Sequence, residues 1–92
     1  MDFEWNTNKA ASNLSKHTVS FEEASEVFDD PFALIFEDES HSESEDREQI
    51  LGYCYRNRLL LVSFTQRGDI VRIISARVAV TLERKKYEAY QR

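Results

Sequence analysis

The stretch RLLLVSFTQ at residues 58–66, followed by RG at 67–68 and DIVRIIS at 69–75, decides the fold. Both runs are rich in the β-branched and aromatic residues that suit a pleated surface, and each has the length of a strand. Gly68 takes positive φ at no steric cost, so the chain reverses there and the two runs pair antiparallel. On the N-terminal side, EQILGYCY at residues 48–55 is joined to the first run by Arg56 and Asn57, and Asn57 also tolerates left-handed backbone. Three strands therefore form an antiparallel meander, and FALIFE at residues 32–37 supplies a fourth. Along residues 70–76 apolar side chains fall on both faces, which is expected of an interior strand partly covered on each side and carrying Arg72 within it.

Outside the sheet the period changes. Asn6 or Thr7 caps a helix running through about Ser15, with Ala10 and Leu14 as its apolar stripe and Lys9, Asn13 and Lys16 beside it. A capping box at Ser20-Phe-Glu-Glu23 opens a second helix, in which Phe21, Ala24, Val27 and Phe28 form the buried face until Pro31 stops it. A last helix is expected from about Arg77 to Tyr90, with Val78, Leu82 and Ala89 inward. The acidic tract at residues 37–46 is too charged to bury and reads as a solvated loop. Two helices, an antiparallel sheet of about four strands and a C-terminal helix make one α+β domain over residues 1–92.

The chain has 92 residues, 41% of them hydrophobic and 12% aromatic, enough for one core and no separate cofactor domain. A lone cysteine, Cys54, excludes an internal disulfide and a cysteine zinc site, and fits a reducing compartment as an inert packing residue. No apolar run reaches membrane-span length and Met1-Asp-Phe-Glu is no signal peptide, so a soluble, cytoplasmic protein without a membrane partner is expected. The net charge of −5 hides an asymmetry: residues 1–46 carry 2 basic and 13 acidic residues, residues 47–92 carry 10 basic and 4 acidic ones. One surface is thus suited to an anion, although solvated charge explains the same division.

Several short pieces recur together in a known pattern. Phe3-Glu-Trp5, Lys9-Ala10, Asn13, Lys16-His17, Phe21-Glu-Glu-Ala24, Asp30-Pro31, Gly52, Arg67-Gly68, Arg72-Ile-Ile-Ser-Ala-Arg77, Glu83-Arg84 and Tyr87 resemble the BrnT family of type II toxins over nearly the whole chain. The resemblance implies a bacterial ribonuclease toxin with a RelE-like fold, inhibiting translation and growth until neutralised by a BrnA-type antitoxin. That antitoxin carries a ribbon-helix-helix domain, so DNA is met only through it. An extended segment at Phe3 to Trp5 is implied as well. Asn6, Thr18, Asn57 and Val78 stand where the family often has Asp, Gly, Gly and Pro.

Cleaving RNA without a metal requires removal of the 2′-OH proton, stabilisation of charge on the phosphate and protonation of the leaving 5′-oxygen. Histidine is the side chain whose ordinary titration lies near neutrality, which singles out His17 beside the cationic Lys9 and Lys16. It fits a packed or capping histidine at a helix end equally well. Guanidinium matches phosphate bidentately, so Arg67, Arg72 and Arg77 are candidates for a clamp. The plain alternatives are a solvated turn for Arg67 and an ion pair of Arg72 with Glu22, Asp30 or Glu83.

Lys9 is a second candidate for proton transfer, and Lys16, Tyr87 and Arg84 for RNA binding. Packing is the alternative for Tyr87 and solvation for Arg84. Trp5 is expected in the core or against an antitoxin. His41 reads as a solvated loop residue, and neither a metal site nor a cofactor is expected. A binding module of another class, a non-catalytic or inactive toxin whose basic surface seats an acidic partner segment, would show the same composition.

Overall fold

The computed structural model describes residues 1–38 and 46–91. In chain order the elements are β1 (Asp2–Glu4), α1 (Thr7–His17), α2 (Phe21–Glu26), a 3-10 turn (Val27–Asp29), β2 (Leu34–Glu37), β3 (Arg47–Tyr53), β4 (Leu59–Arg67), β5 (Ile70–Val78) and α3 (Thr81–Ala89). The strands form one sheet in the order β1-β5-β4-β3-β2. The expected meander is present, with β3 antiparallel to β4 and β4 to β5, and Asn57 and Gly68 both take positive φ. β2 pairs antiparallel with β3.

The sheet nevertheless has five strands and is mixed. β1 lies parallel to β5, with Phe3 opposite Val71, and three residues are too few to carry a readable period. Its aromatic anchor is tertiary: Phe3 stacks edge-on with Phe28 at 5.2 Å, and Phe28 with Phe64 at 5.0 Å.

Two cores lie on the two faces of the sheet. Val19, Phe21, Ala24 and Val27 pack with Ile50, Leu60, Val62, Phe64, Val71, Ile73 and Ala76 on one face, with Trp5 edge-on to Phe21. On the other, Leu51, Leu59 and Leu61 meet Tyr87 of α3. The 2-residue period of β3 and β4 drives this division, because those two strands have apolar side chains for either layer.

The structure corrects several boundaries and faces. α1 runs two residues beyond Ser15 to His17, Leu14 is 51% exposed, and the buried residue of that helix is Asn13. Ser20 Oγ does accept from the Glu23 N–H, but the Glu23 carboxylate turns to Arg58 and completes no capping box. β5 extends through Arg77 and Val78, so α3 starts only at Thr81. Leu82 is 77% exposed, and Val78 and Ala89 also lie outward; Tyr87 fills the inward position. The reason is one of phase: a strand through Val78 shifts where the helix begins, and with it the face that meets the sheet.

A candidate cleft at the edge of strand β5

β5 carries a bulge. Ser75 lies opposite Ser63 but Ile73 lies opposite Phe64, leaving Ile74 as an extra residue. Simple alternation would place Arg72 and Arg77 on opposite faces, since they are an odd number of residues apart. The extra residue reverses the phase, so Arg72, Ser75 and Arg77 share the face opposite α1 and α2, while Val71, Ile73 and Ala76 share the core. Arg67 alternates with Leu59 and Leu61 along β4 and joins the same face.

The three arginines share a face but not a place on it. Arg72 donates to Glu4 at 2.9 Å and Arg67 lies 3.8 Å from the same carboxylate, so β1 supplies one acid to both. Arg72 thus pairs with none of Glu22, Asp30 and Glu83. Arg77 stands some 15 Å further along the strand at about 3.3 Å per residue. There it makes a bidentate pair with Glu83, at 2.9 and 2.8 Å. The hydrogen bonds of that pair push the Arg77 pKa up and hold Glu83 below the usual carboxylate range against its burial. Glu83 Oε1 also accepts from the Val80 N–H, tying the guanidinium to the first turn of α3.

β1 covers only residues 70–72 of its edge of β5, and α1 completes the edge. The Asn13 side chain accepts from the Ala76 N–H at 3.1 Å and donates to the Ala76 carbonyl at 2.8 Å and the Val19 carbonyl at 2.9 Å. One amide thereby does the work of a strand partner, in a position 7% exposed. Four residues on, and so on the same side of the helix, is His17. Thr18 follows with φ 59°, accepted there as the helix stop, and its N–H donates to the Leu14 carbonyl.

This docking creates two adjoining clefts. One, of about 320 Å³, is lined by Asn8, Lys9, Ser12, Asn13, Lys16, His17, Ile74 and Ser75. The other, of about 350 Å³, is lined by His17, Asp38, Gln49, Leu61, Ser63, Ser75, Ala76 and Arg77. The structure therefore puts Lys9, Lys16 and His17 around one cleft and His17 and Arg77 around the other, the two joined at His17 and Ser75 as one trough, and leaves Arg67 and Arg72 in neither.

Tyr87 lies in neither cleft. It is 5% exposed, packs edge-on against Tyr53 at 5.2 Å and donates its phenol to Asp30 Oδ2 at 2.7 Å. Burial, and then the Asp30 bond, push its pKa up. Burial alone would raise the Asp30 pKa, but the phenol and the Tyr53 and Phe32 N–H groups outweigh it and lower it. Arg84 is exposed on α3 and donates to the Tyr53 hydroxyl at 3.1 Å.

Cys54 is buried, as expected, and donates to Glu23; burial first and that bond second push its thiol pKa up, away from reactivity. Among the described residues no three His, Cys, Asp or Glu come together to hold a metal, and His41 lies outside those residues. No described helix is long and apolar enough to cross a membrane.

Sequence reading missed Asn13, Ser63, Ser75 and Gln49 as parts of the clefts and Glu83 as the partner of Arg77. Asn13, Ser75 and Glu83 had a signal in the family pattern, and Ser63 and Ser75 one as hydroxyls interrupting apolar strands.

Fold and cleft together define a small α+β domain with lysine, arginine and histidine lining two adjoining clefts beside β5, a basic lining suited to an anion. The family model described as ribonuclease toxin, BrnT, of type II toxin-antitoxin system matches residues 5–83, and the chain belongs to that family. Its fold is similar to the crystal structure of the Brucella abortus ribonuclease toxin, BrnT, with a TM-score of 0.67 at 23% sequence identity, over 88% of this chain and 99% of that one. No curated protein sequence matches the chain.

Proposed function

We propose that the chain is a metal-independent endoribonuclease whose cleavage chemistry takes place in the trough at the edge of β5. The observation that carries this reading is the convergence of His17, Lys9, Lys16 and Arg77 around Ser75, in a chain of the ribonuclease toxin family. His17 takes the proton from the 2′-OH, and the 2′-oxygen attacks phosphorus. The bond to the 5′-oxygen then breaks, leaving a 2′,3′-cyclic phosphate and a 5′-hydroxyl, whose proton is returned by the imidazolium of His17, the group that lines both clefts. Arg77, oriented by Glu83, faces the charge that builds on the phosphate. Arg67 and Arg72, with Arg84 exposed on α3 and Lys16 beside His17, extend the basic surface over which RNA lies. Tyr87 contributes by fixing α3, and with it Glu83.

In the cell this nuclease, of RelE-like fold, would act in the cytoplasm, inhibit translation and growth, and be neutralised by a BrnA-type ribbon-helix-helix antitoxin through which alone DNA is met.

The test is cleavage of labelled RNA in EDTA by the wild type, His17→Ala and Arg77→Ala. Loss of the proton-transfer group should cost about 10²–10⁴-fold in rate. Cyclic phosphate ends from the wild type, with loss in both variants, support the reading. Equal cleavage by the variants would displace the site. A folded wild type that never cleaves, yet still binds an acidic partner segment, would make the protein a non-catalytic interaction module.

A further inference from the structure

The two clefts meet at His17 and Ser75, and the one under α1 differs electrostatically from the rest of the sheet. Its wall includes two lysines and no carboxylate. The sheet-face arginines Arg67, Arg72 and Arg77 each sit on a glutamate, whereas Lys9 and Lys16 form no ion pair among the described residues. The two lysines are seven residues apart, about 10 Å along the helix axis at 1.5 Å per residue. Both line the same cleft, so their flexible side chains reach an anion seated in it from two positions along the helix. Asn8, Ser12 and Ser75 add an amide and two hydroxyls, groups that hydrogen-bond base edges and sugars. Asn13, between the lysines, is committed to Ala76 and Val19 and holds this wall against β5. The volume of about 320 Å³ is at the low end for a ligand site and fits a single nucleotide.

We propose that this cleft is a flanking-nucleotide subsite: Lys9 and Lys16 hold the phosphate of the nucleotide next to the scissile one, and the RNA backbone crosses between the clefts past His17 and Ser75. The inference rests on the nuclease reading above and names its substrate class. The substrate is single-stranded RNA with at least one nucleotide beyond the cleaved step, because a base must leave any stack to enter a cleft of this size.

The experiment uses 2′-O-methyl oligonucleotides of two to six nucleotides, which lack the attacking hydroxyl and so report binding alone. Their affinities for the wild type and for Lys9→Ala/Lys16→Ala are read by fluorescence anisotropy at several salt concentrations. Both lysines are exposed on a helix and alanine is the better helix former, so the variant keeps the fold. Wild-type affinity should step up about tenfold at one added nucleotide, and that step should vanish in the variant. The slope of log affinity against log salt should become shallower by about 0.7 in the variant, the amount one phosphate on a single strand contributes. A neutral methylphosphonate at the flanking linkage should likewise abolish the step in the wild type.

The same step in both proteins, or equal binding of a duplex, overturns the subsite. A parallel cleavage assay on unmodified RNA separates the two ideas. Cleavage without the length step removes the subsite and leaves the nuclease, while the length step without cleavage keeps the subsite and removes the nuclease.

Discussion

At the scale of the residue, Thr18 shows a local preference overruled by its surroundings. A β-branched side chain in the left-handed region is disfavoured, yet Thr18 sits there at φ 59° because its carbonyl accepts from Arg58 and its N–H closes α1. The left-handed conformation costs an L-residue about 1–2 kcal/mol, and glycine returns part of the relief through a freer unfolded chain. Thr18→Gly is therefore expected to stabilise the fold by about 0.5–1 kcal/mol, raising the thermal midpoint by a few degrees. A urea titration checks it, and a lower midpoint would show that the Thr18 hydroxyl, which donates to the His17 carbonyl, matters more than the strain. Asn57 has the same sign of φ, but asparagine tolerates it, so little is to be gained there.

Among elements, the tightest junction is where β3 passes the turn after α2. A Cβ on Gly52 would lie 3.0 Å from Val27 Cγ1, 3.1 Å from the Ala33 Cβ and 3.1 Å from Asp30 Oδ2. Val27 is fully buried, and Asp30 is held by Tyr87, Tyr53 and Phe32, so none of these neighbours moves freely. Overpacking of this kind costs about 1–3 kcal/mol, and Gly52→Ala should lower stability by that amount in chemical denaturation. Gly68→Ala meets nothing within 4 Å, and its cost would come from φ +61° alone. A Gly52→Ala variant as stable as the wild type would refute the crowding.

For the molecule as a whole, three carboxylates tie separate layers together. Glu23 joins α2 to Arg58 ahead of β4, Asp30 joins the turn to β3 and α3, and Glu83 joins α3 to β5. Glu23 is held low chiefly by its hydrogen bond to Arg58, Asp30 by bonds that outweigh its burial, and Glu83 chiefly by Arg77. All three lie below their ordinary values of 4.5, 3.8 and 4.5, so each contributes stability that is complete above that range and lost as pH falls through the lower folded value. The thermal midpoint should hold from neutrality to about pH 5 and then drop progressively on acidification. Asp30→Asn should start lower and fall less steeply. A midpoint unchanged down to about pH 3 would mean these pairs do not couple to folding.

The amino-acid sequence by itself determined the meander, the left-handed turns at Asn57 and Gly68, the Ser20 cap and the family of the chain, because each of these depends on residues close together or on fixed short patterns. Tertiary structure alone decided the parallel β1 strand, the bulge at Ile74 that brings Arg72 and Arg77 to one face, and the Asn13 amide that seats α1 on β5. It also decided that Arg67 and Arg72 share Glu4 while Arg77 takes Glu83. Side chains at Glu4 and Arg72 stand 68 positions apart, and nothing local prefers that pairing over others. A strand of three residues, a one-residue change of phase and a choice among carboxylates are each too small to leave a periodic trace. They become definite only when the packed layers leave one partner within reach.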